Sequence, residues 1–192
     1  MKKIFTGCVL FLLTIPAFPQ AINDFSLKDV VSGSNFTLSQ HQASKGIVLV
    51  FTTNTCPYSK LYESRITELA SRFEGQNFTF VLVNPHADSV EGESATEMAH
   101  ASKTSLGALP YLHDQKQSLA TALGISKVPH VVVITPNQSG FSIAYQGGID
   151  NNPQLPQSAT QSYLENALNS LVNNQVPVPA TTRAVGCNVK SN

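Results

Sequence analysis

The pattern of apolar and polar positions predicts a central β-sheet. Three predominantly apolar runs, at 46–52, 78–84 and 128–135, are rich in β-branched side chains. Runs of this kind are typical of strands that are buried on both faces of a sheet. A fourth stretch, at 141–148, follows the third run after a short polar turn, so we expect these two strands to pair as a hairpin.

Helical periodicity appears between the apolar runs. After Pro57, apolar side chains recur at i, i+4, i+7 and i+11, which predicts a helix that ends near Gly75; these side chains are Tyr62, Ile66, Leu69 and Phe73. Shorter helices are predicted around 94–105, within 114–125 and around 164–172.

The two ends of the chain differ from this alternating core. Short strands at 25–27 and 35–38 flank a Ser-Gly-Ser turn and predict an N-terminal β-hairpin extension. Residues 175–192 contain prolines and lack periodicity, so we expect an extended, mobile C-terminal tail. The prediction for 22–174 is one α/β domain with a mixed central sheet flanked by helices on both sides.

Composition argues against one class of partner. The chain has 192 residues and a formal net charge of zero, and charged residues make up 12% of it. That share is about half of the roughly 25% that is usual. Because no basic cluster is present, we expect no nucleic-acid partner.

The N-terminus predicts export. Two lysines precede an apolar stretch at 4–15, and small residues and prolines follow it. This is the layout of a secretory signal peptide, here assigned to residues 1–21. The stretch is shorter than the roughly 20 residues of a membrane span. We expect a secreted or periplasmic protein with no stable membrane insertion after cleavage, and an uncleaved anchor is the alternative.

Cys56 is the leading candidate for chemistry. It follows a predicted buried strand and precedes Pro57, a residue that suits the first position of a helix. The unpaired N–H groups and the dipole of a helix N-terminus favour negative charge, and the thiolate is the reactive form of cysteine. The alternative is a buried structural cysteine. Ser59 stands where a C-x-x-C pair would carry its second cysteine.

A second feature is the segment Val128-Pro129-His130 at the start of the third apolar run. Proline is tolerated at the first residue of a strand, and an X-Pro bond can also be cis. The residue pattern leaves both alternatives open.

Several motifs together resemble thioredoxin-fold redoxins, the peroxiredoxin-like thiol-specific antioxidants of the AhpC/TSA type. The motifs are "NTCPYSK", "LPYLHD", "VPH", "YQGGID" and "RAVGCNVK". The combination of a "CPY" site with a late "GC-x-(I/V)-K" tail resembles a secreted branch of that group. The resemblance implies a thioredoxin-like fold in which Pro129 is cis and packs against Cys56. Candidate substrate contacts are Pro57, Tyr58, Val128, Pro129 and His130.

The chain departs from the motifs of both enzyme types in this group. Ser59 can hydrogen-bond a neighbouring thiolate but cannot resolve a mixed disulfide. Thr53 stands three residues before Cys56, as in the peroxidase motif, but Leu49 occupies that motif's proline position. No arginine lies between Arg72 and Arg183, and this disfavours peroxidase activity.

Cys187 is the other cysteine of the mature chain. A resolving cysteine on a mobile tail would attack the sulfenic acid or mixed disulfide that forms on Cys56. A static disulfide that pins the tail is a second interpretation, and a free or intermolecular thiol is a third.

The sequence therefore predicts an extracytoplasmic thiol-disulfide oxidoreductase without cofactor or metal. Cys56 is the nucleophile, Cys187 the resolving candidate, and Thr53, Ser59 and His130 are candidates for stabilising the thiolate. Expected partners are protein or small-molecule thiols and disulfides, hydroperoxides, and an external thiol reductant. A thiol peroxidase and a redox-inactive binding module with a structural disulfide are the alternatives. The histidines lack the spacing of a zinc site, and a copper site of Cys56 and His130 would have only two ligands.

Overall fold

The computed structural model describes residues 20–190, and a six-stranded sheet forms its centre. The strands are β1 (Ala21–Ile22), β2 (Ser26–Lys28), β3 (Asn35–Thr37), β4 (Gly46–Phe51), β5 (Phe78–Asn84), β6 (Tyr111–His113), β7 (Lys127–Val128), β8 (His130–Asn137), β9 (Gly140–Gly147) and β10 (Cys187–Asn188). The helices are α1 (Pro57–Glu74), α2 (Ala95–Ser105), α3 (Ser118–Ala122) and α4 (Tyr163–Val172). The signal-peptide prediction falls on residues 1–21, which lie almost entirely outside the described range.

The sheet is mixed, as the sequence predicts. Its strand order is β1-β9-β8-β4-β5-β6. Strands β4, β5 and β6 run parallel, whereas β8 is antiparallel to β4 and β9 is antiparallel to β8. The hairpin of β2 and β3 forms a separate small sheet, which confirms the predicted N-terminal hairpin. Within residues 20–190, no helix combines the length and apolar character needed to cross a bilayer.

Strand β4 shows why helices cover both faces of the sheet. All six of its residues are buried, and alternate side chains point to opposite faces. Val48 and Val50 join one apolar cluster with α1, α2 and α4. Leu49 and Phe51 join the other cluster, which includes α3 and the hairpin. Because both faces of the strand pack against apolar clusters, its sequence is continuously apolar and does not alternate between apolar and polar residues.

Helix α1 ends where the sequence predicts and buries the predicted face. Pro57 occupies its first turn, and the helix ends at Glu74, just before Gly75. Its buried apolar side chains pack in the cluster with α2 and α4 and include Tyr62, Ile66, Leu69 and Phe73. Burying each such side chain contributes roughly 1.5–3 kcal/mol, so this face fixes the start of the helix, and with it Cys56, against the sheet.

Two elements differ from the sequence prediction. Strand β6 is not among the predicted strands, because Tyr111–His113 is too short to show a period. Its Tyr111 N–H donates to the carboxylate of Asp29 at 2.9 Å. Helix α3 is shorter than the predicted helix within 114–125. Gln117 has a left-handed backbone conformation, with φ 55°, so the right-handed helix begins only after it. The carboxylate of Asp114 accepts the Ala120 N–H at 2.8 Å.

The C-terminal tail makes specific contacts with the domain in this structure, and its mobility stays a prediction. Gln146 in β9 exchanges main-chain hydrogen bonds with Ala180 at 2.9 Å and with Thr182 at 3.0 Å. Gly147, at φ 152°, leaves the space that Thr182 occupies, since a Cβ there would lie 2.2 Å from the Thr182 hydroxyl oxygen. Local periodicity does not reveal these contacts, because each of them joins distant parts of the chain.

Candidate active site

Cys56 lies where the buried strand β4 gives way to helix α1. It is the N-cap residue of α1, with φ −75° and ψ 120°, and Pro57 follows it in the first turn. Its side chain is 4% exposed and belongs to the apolar cluster of α3 and the hairpin. Cys56 therefore lies at the N-terminus of α1, as the sequence predicts, although its side chain accepts no hydrogen bond from the first N–H groups of the helix.

Cys56 is joined to Cys187 by an intrachain disulfide. The S–S distance is 2.05 Å, the Cα atoms are 6.0 Å apart, and 131 residues separate the two cysteines. The structure thus brings together the two cysteines that the sequence singles out, and it differs from the interpretation of Cys187 as a free or intermolecular thiol.

The tail reaches Cys56 by adding a short strand to the edge of β7. In this antiparallel pair, Cys187 lies opposite Val128 and Asn188 opposite Lys127. The Lys127 ammonium group donates to the Asn188 side chain at 2.8 Å, and Val189 N–H donates to the Ser126 carbonyl at 2.9 Å. Main-chain pairing, rather than the disulfide alone, sets the position of Cys187.

Pro129 is cis, as the resemblance implies, and it immediately follows the strand that holds the tail. Val128 is fully buried, and its carbonyl oxygen lies 3.5 Å from the Cys56 sulfur. A disulfide sulfur has no proton to donate, so in this state the approach is a contact and not a hydrogen bond. In the reduced protein, the Cys56 thiol could donate to this carbonyl.

Ser59 and Thr53 lie together beneath the start of α1. Ser59 is 1% exposed, and its hydroxyl oxygen accepts the Thr53 N–H at 3.4 Å. Thr53 is 3% exposed. These contacts hold the loop between β4 and α1, and a contact between either side chain and a thiolate stays a prediction.

The remaining candidates differ in their exposure and contacts. Pro57 is exposed. Tyr58, a candidate substrate contact, is half-buried against the cluster that contains Cys56. His130 lies opposite Phe51 in the pairing of β8 with β4. Burial lowers the pKa of His130 from its ordinary value of 6.5 to about 4, so the neutral ring offers no positive charge to a thiolate at pH 7.

Glu93 is a buried residue of the site that the sequence does not reveal. It is fully buried, and its carboxylate accepts four hydrogen bonds. The donors are the main-chain N–H groups of Asn54 and Thr55, both at 2.9 Å, the Thr55 hydroxyl at 2.6 Å and the Asn84 amide at 2.7 Å. Because an ionised carboxylate only accepts, this donor set matches it fully. Glu93 thereby fixes the two residues that precede Cys56.

Two further buried groups extend this polar network. Burial, and then the charge of Glu93, raise the pKa of Tyr111 well above its ordinary range. Burial lowers the pKa of His86. The charge of Glu93 opposes this shift, and the charge of Lys190 adds to it. The neutral His86 ring accepts the Lys190 main-chain N–H through Nε2 at 3.1 Å, so it holds the tail beyond Cys187. Single residues of this kind, far apart in sequence, give no spacing signal.

No group of three or more histidine, cysteine, aspartate or glutamate side chains in the described part of the chain could hold a metal ion.

The sheet order, the cis-proline and the cysteine at the head of α1 define a thioredoxin-like fold. The AhpC/TSA family model matches residues 19–140, and the chain belongs to this family. At the general level, membership places it among the oxidoreductases. No curated protein matches the sequence.

Solved structures agree on the fold. A hypothetical protein from Sinorhizobium meliloti has a TM-score of 0.81 and 24% identity, over 93% of this chain and 97% of that one. A protein described as the thiol:disulfide interchange protein DsbE, from Chlorobium tepidum, has a TM-score of 0.62 and 16% identity, over 80% and 96%. The peroxidoxin BcpB from Mycobacterium tuberculosis has a TM-score of 0.59 and 16% identity, over 80% and 94%. These identities support the fold alone, and they do not separate disulfide exchange from peroxide reduction.

We expect the Glu93→Gln substitution to loosen the loop before Cys56. A glutamine amide would place an N–H₂ group against donors that now bind an oxygen, so the free energy of unfolding should fall by about 1–3 kcal/mol. Hydrogen exchange at the Asn54 and Thr55 amides should also accelerate. Urea unfolding and amide exchange by NMR measure both effects. Glu91→Gln, at an exposed position of the same loop, is the control, and equal behaviour of the two variants would contradict this role.

We expect His130 to make stability depend on pH. Its pKa of about 4 in the folded chain lies below 6.5, so the unfolded chain binds more protons between these values. The free energy of unfolding should therefore fall as pH is lowered from about 6.5 to about 4, by on the order of 3 kcal/mol from this residue. The free energy of unfolding of the His130→Gln variant should vary less with pH across that range. Some dependence should remain, because His41 and His86 are present in both proteins. His100→Gln, at an exposed position, is the control, and parallel curves for wild type and His130→Gln would refute the assignment.

Proposed function

We propose that this protein is an extracytoplasmic thiol-disulfide oxidoreductase in which Cys56 is the nucleophile and Cys187 the resolving cysteine. The observation that carries the proposal is the Cys56–Cys187 disulfide at the N-terminus of α1, beside cis-Pro129. A helix N-terminus favours the thiolate, and a second thiol already in bonding distance can complete an exchange.

The proposed cycle starts from the reduced protein. The Cys56 thiolate attacks one sulfur of a substrate disulfide, which forms a mixed disulfide and releases one substrate thiolate. The Cys187 thiolate then attacks the Cys56 sulfur, so the second substrate thiolate leaves and the observed disulfide forms. Two electrons pass from the protein to the substrate, and an external thiol reductant returns them.

The tail contacts suit this cycle better than they suit a simple staple. Around Cys187 the tail is held by the two-residue strand β10, by one further main-chain hydrogen bond and by side-chain bonds that involve Lys127 and His86. Because Cys56 is 4% exposed in the disulfide form, the tail must leave before a substrate reaches the sulfur. A short ladder allows that movement at a modest cost and restores the position of Cys187 afterwards.

The extracytoplasmic location is part of the proposal. It is supported by the signal-like pattern at residues 1–21 and by an intrachain disulfide, because disulfides persist in oxidising compartments.

Peroxide reduction is the second candidate. Its support is membership of the AhpC/TSA family and the position of Thr53, which is buried three residues before Cys56. Against it, the carboxylates of Asp150 and Glu165 already bind Arg65 and Arg72 respectively. Both guanidinium groups thus already have an anionic partner.

Turnover of a protein disulfide separates these functions. With insulin as substrate and dithiothreitol as reductant, wild type should accelerate disulfide reduction, and Cys56→Ser should abolish the acceleration. When the pre-reduced Cys187→Ser variant is mixed with insulin in the absence of dithiothreitol, it should accumulate a mixed disulfide on Cys56, which mass spectrometry detects. Faster consumption of hydrogen peroxide than of insulin disulfides would favour the peroxidase. If the Cys56→Ser variant keeps both the rate of insulin reduction and the rate of peroxide consumption, both enzyme assignments are refuted.

A further inference from the structure

The edge of β7 fixes the main-chain path of the segment that delivers a sulfur to Cys56. The tail lies antiparallel to Lys127–Val128, so Cys187 faces Val128 and the residue before it faces Pro129. Proline has no N–H to continue the ladder. The chain preceding the cysteine therefore crosses directly over the peptide bond between Val128 and Pro129.

Gly186 occupies this crossing, and the contacts there leave no room for a side chain. A Cβ at Gly186 would lie 1.9 Å from the Val128 carbonyl oxygen, 2.6 Å from its carbonyl carbon and 3.1 Å from the Pro129 nitrogen. All three are main-chain atoms of a fully buried segment, so they cannot turn aside as the end of a flexible side chain would. Any residue other than glycine would push the following cysteine away from Cys56.

The neighbouring positions are less restrictive. Asn188 is exposed and bonds the Lys127 ammonium group, and Val189 packs partly against the cluster around Cys56. The remaining bonds are made by main-chain atoms, which every peptide carries. Strand addition of this kind takes its affinity from the main chain and its selectivity from the positions where side chains have little or no space.

We propose that this edge is a peptide-binding site selective for a glycine immediately before the reacting cysteine, and that the tail segment Gly186–Cys187 is its built-in occupant. The proposal rests on the proposed disulfide exchange and names its partner: an extended Gly-Cys segment of a protein or peptide. Such a segment binds along Lys127–Val128 after the tail has left, in the same direction and register.

Activated peptides test this selectivity in the full-length chain. The protein carries Cys8→Ser and Cys187→Ser, so Cys56 is its only thiol. The probe is the acetylated and amidated peptide Ala-Val-Gly-Cys-Asn-Val-Lys, whose cysteine forms a mixed disulfide with thionitrobenzoate. The Cys56 thiolate attacks the peptide sulfur, a protein–peptide disulfide forms, and the thionitrobenzoate anion leaves and is measured by its absorbance.

The glycine peptide should react at least about fivefold faster than the same peptide with alanine in place of glycine, because the added Cβ would overpack against fixed main-chain atoms. The matched control is the peptide with alanine in place of asparagine, which makes a change of side chain at the permissive position. Its rate should stay within about twofold of the glycine peptide. Equal rates for the glycine and alanine peptides would overturn the selectivity and leave disulfide exchange standing. No reaction with any peptide, or with a small activated disulfide, would overturn both.

A second variant tests whether tail and peptide share the edge. Adding Gly186→Ala to the single-thiol protein should displace the tail and raise the rate with the glycine peptide. Gly75→Ala, at a position where a Cβ meets no atom within 4 Å, is the matched control and should leave the rate unchanged. An unchanged or lower rate in the Gly186→Ala variant would contradict the shared edge.

Discussion

The pairing of Cys187 with Val128 is the interaction on which the site depends. It places one sulfur beside another, and it does so through main-chain atoms next to cis-Pro129, a position that the sheet fixes. The buried strand β8 continues directly from this proline and pairs with β4, whose end carries Cys56. The central sheet thus sets the distance between the nucleophile and the edge that receives its partner. The tail adds only a short ladder and a glycine that lets the two chains approach.

A buried carboxylate supports the loop that precedes the same cysteine. Glu93 gathers four donors, two of them from the main chain just before Cys56. A buried carboxylate is costly unless it is fully hydrogen-bonded, so these four donors stabilise Glu93 and tie it to the loop that leads to Cys56. Cys56 stands at the N-terminus of α1, and the neutral His130 ring adds no positive charge at pH 7. We expect the dipole of α1, rather than a cationic side chain, to favour the thiolate in the reduced protein.

Local patterns were sufficient to predict four strands of the central sheet, β4, β5, β8 and β9, and the main helix. The apolar runs of β4, β5 and β8 needed no partner to be recognised, and the face of α1 follows from its period. The position of Cys56 followed from these elements, and the resemblance to redoxins supplied the cis form of Pro129. The contacts of the tail, of Glu93 and of β6 could not be predicted in this way. Each contact joins individual residues that are distant in sequence, so neither the period nor the spacing of residue types predicts it.

The central claim is that the Cys56–Cys187 pair cycles between dithiol and disulfide. The most direct test equilibrates the protein in graded dithiothreitol and glutathione buffers and measures the fraction of the disulfide by alkylation and mass spectrometry. Stabilisation of the thiolate by α1 favours the reduced form, so we predict a reduction potential above about −300 mV, within reach of biological thiols. A disulfide that stays intact well below this value would contradict the account and identify the bond as a structural link that pins the tail.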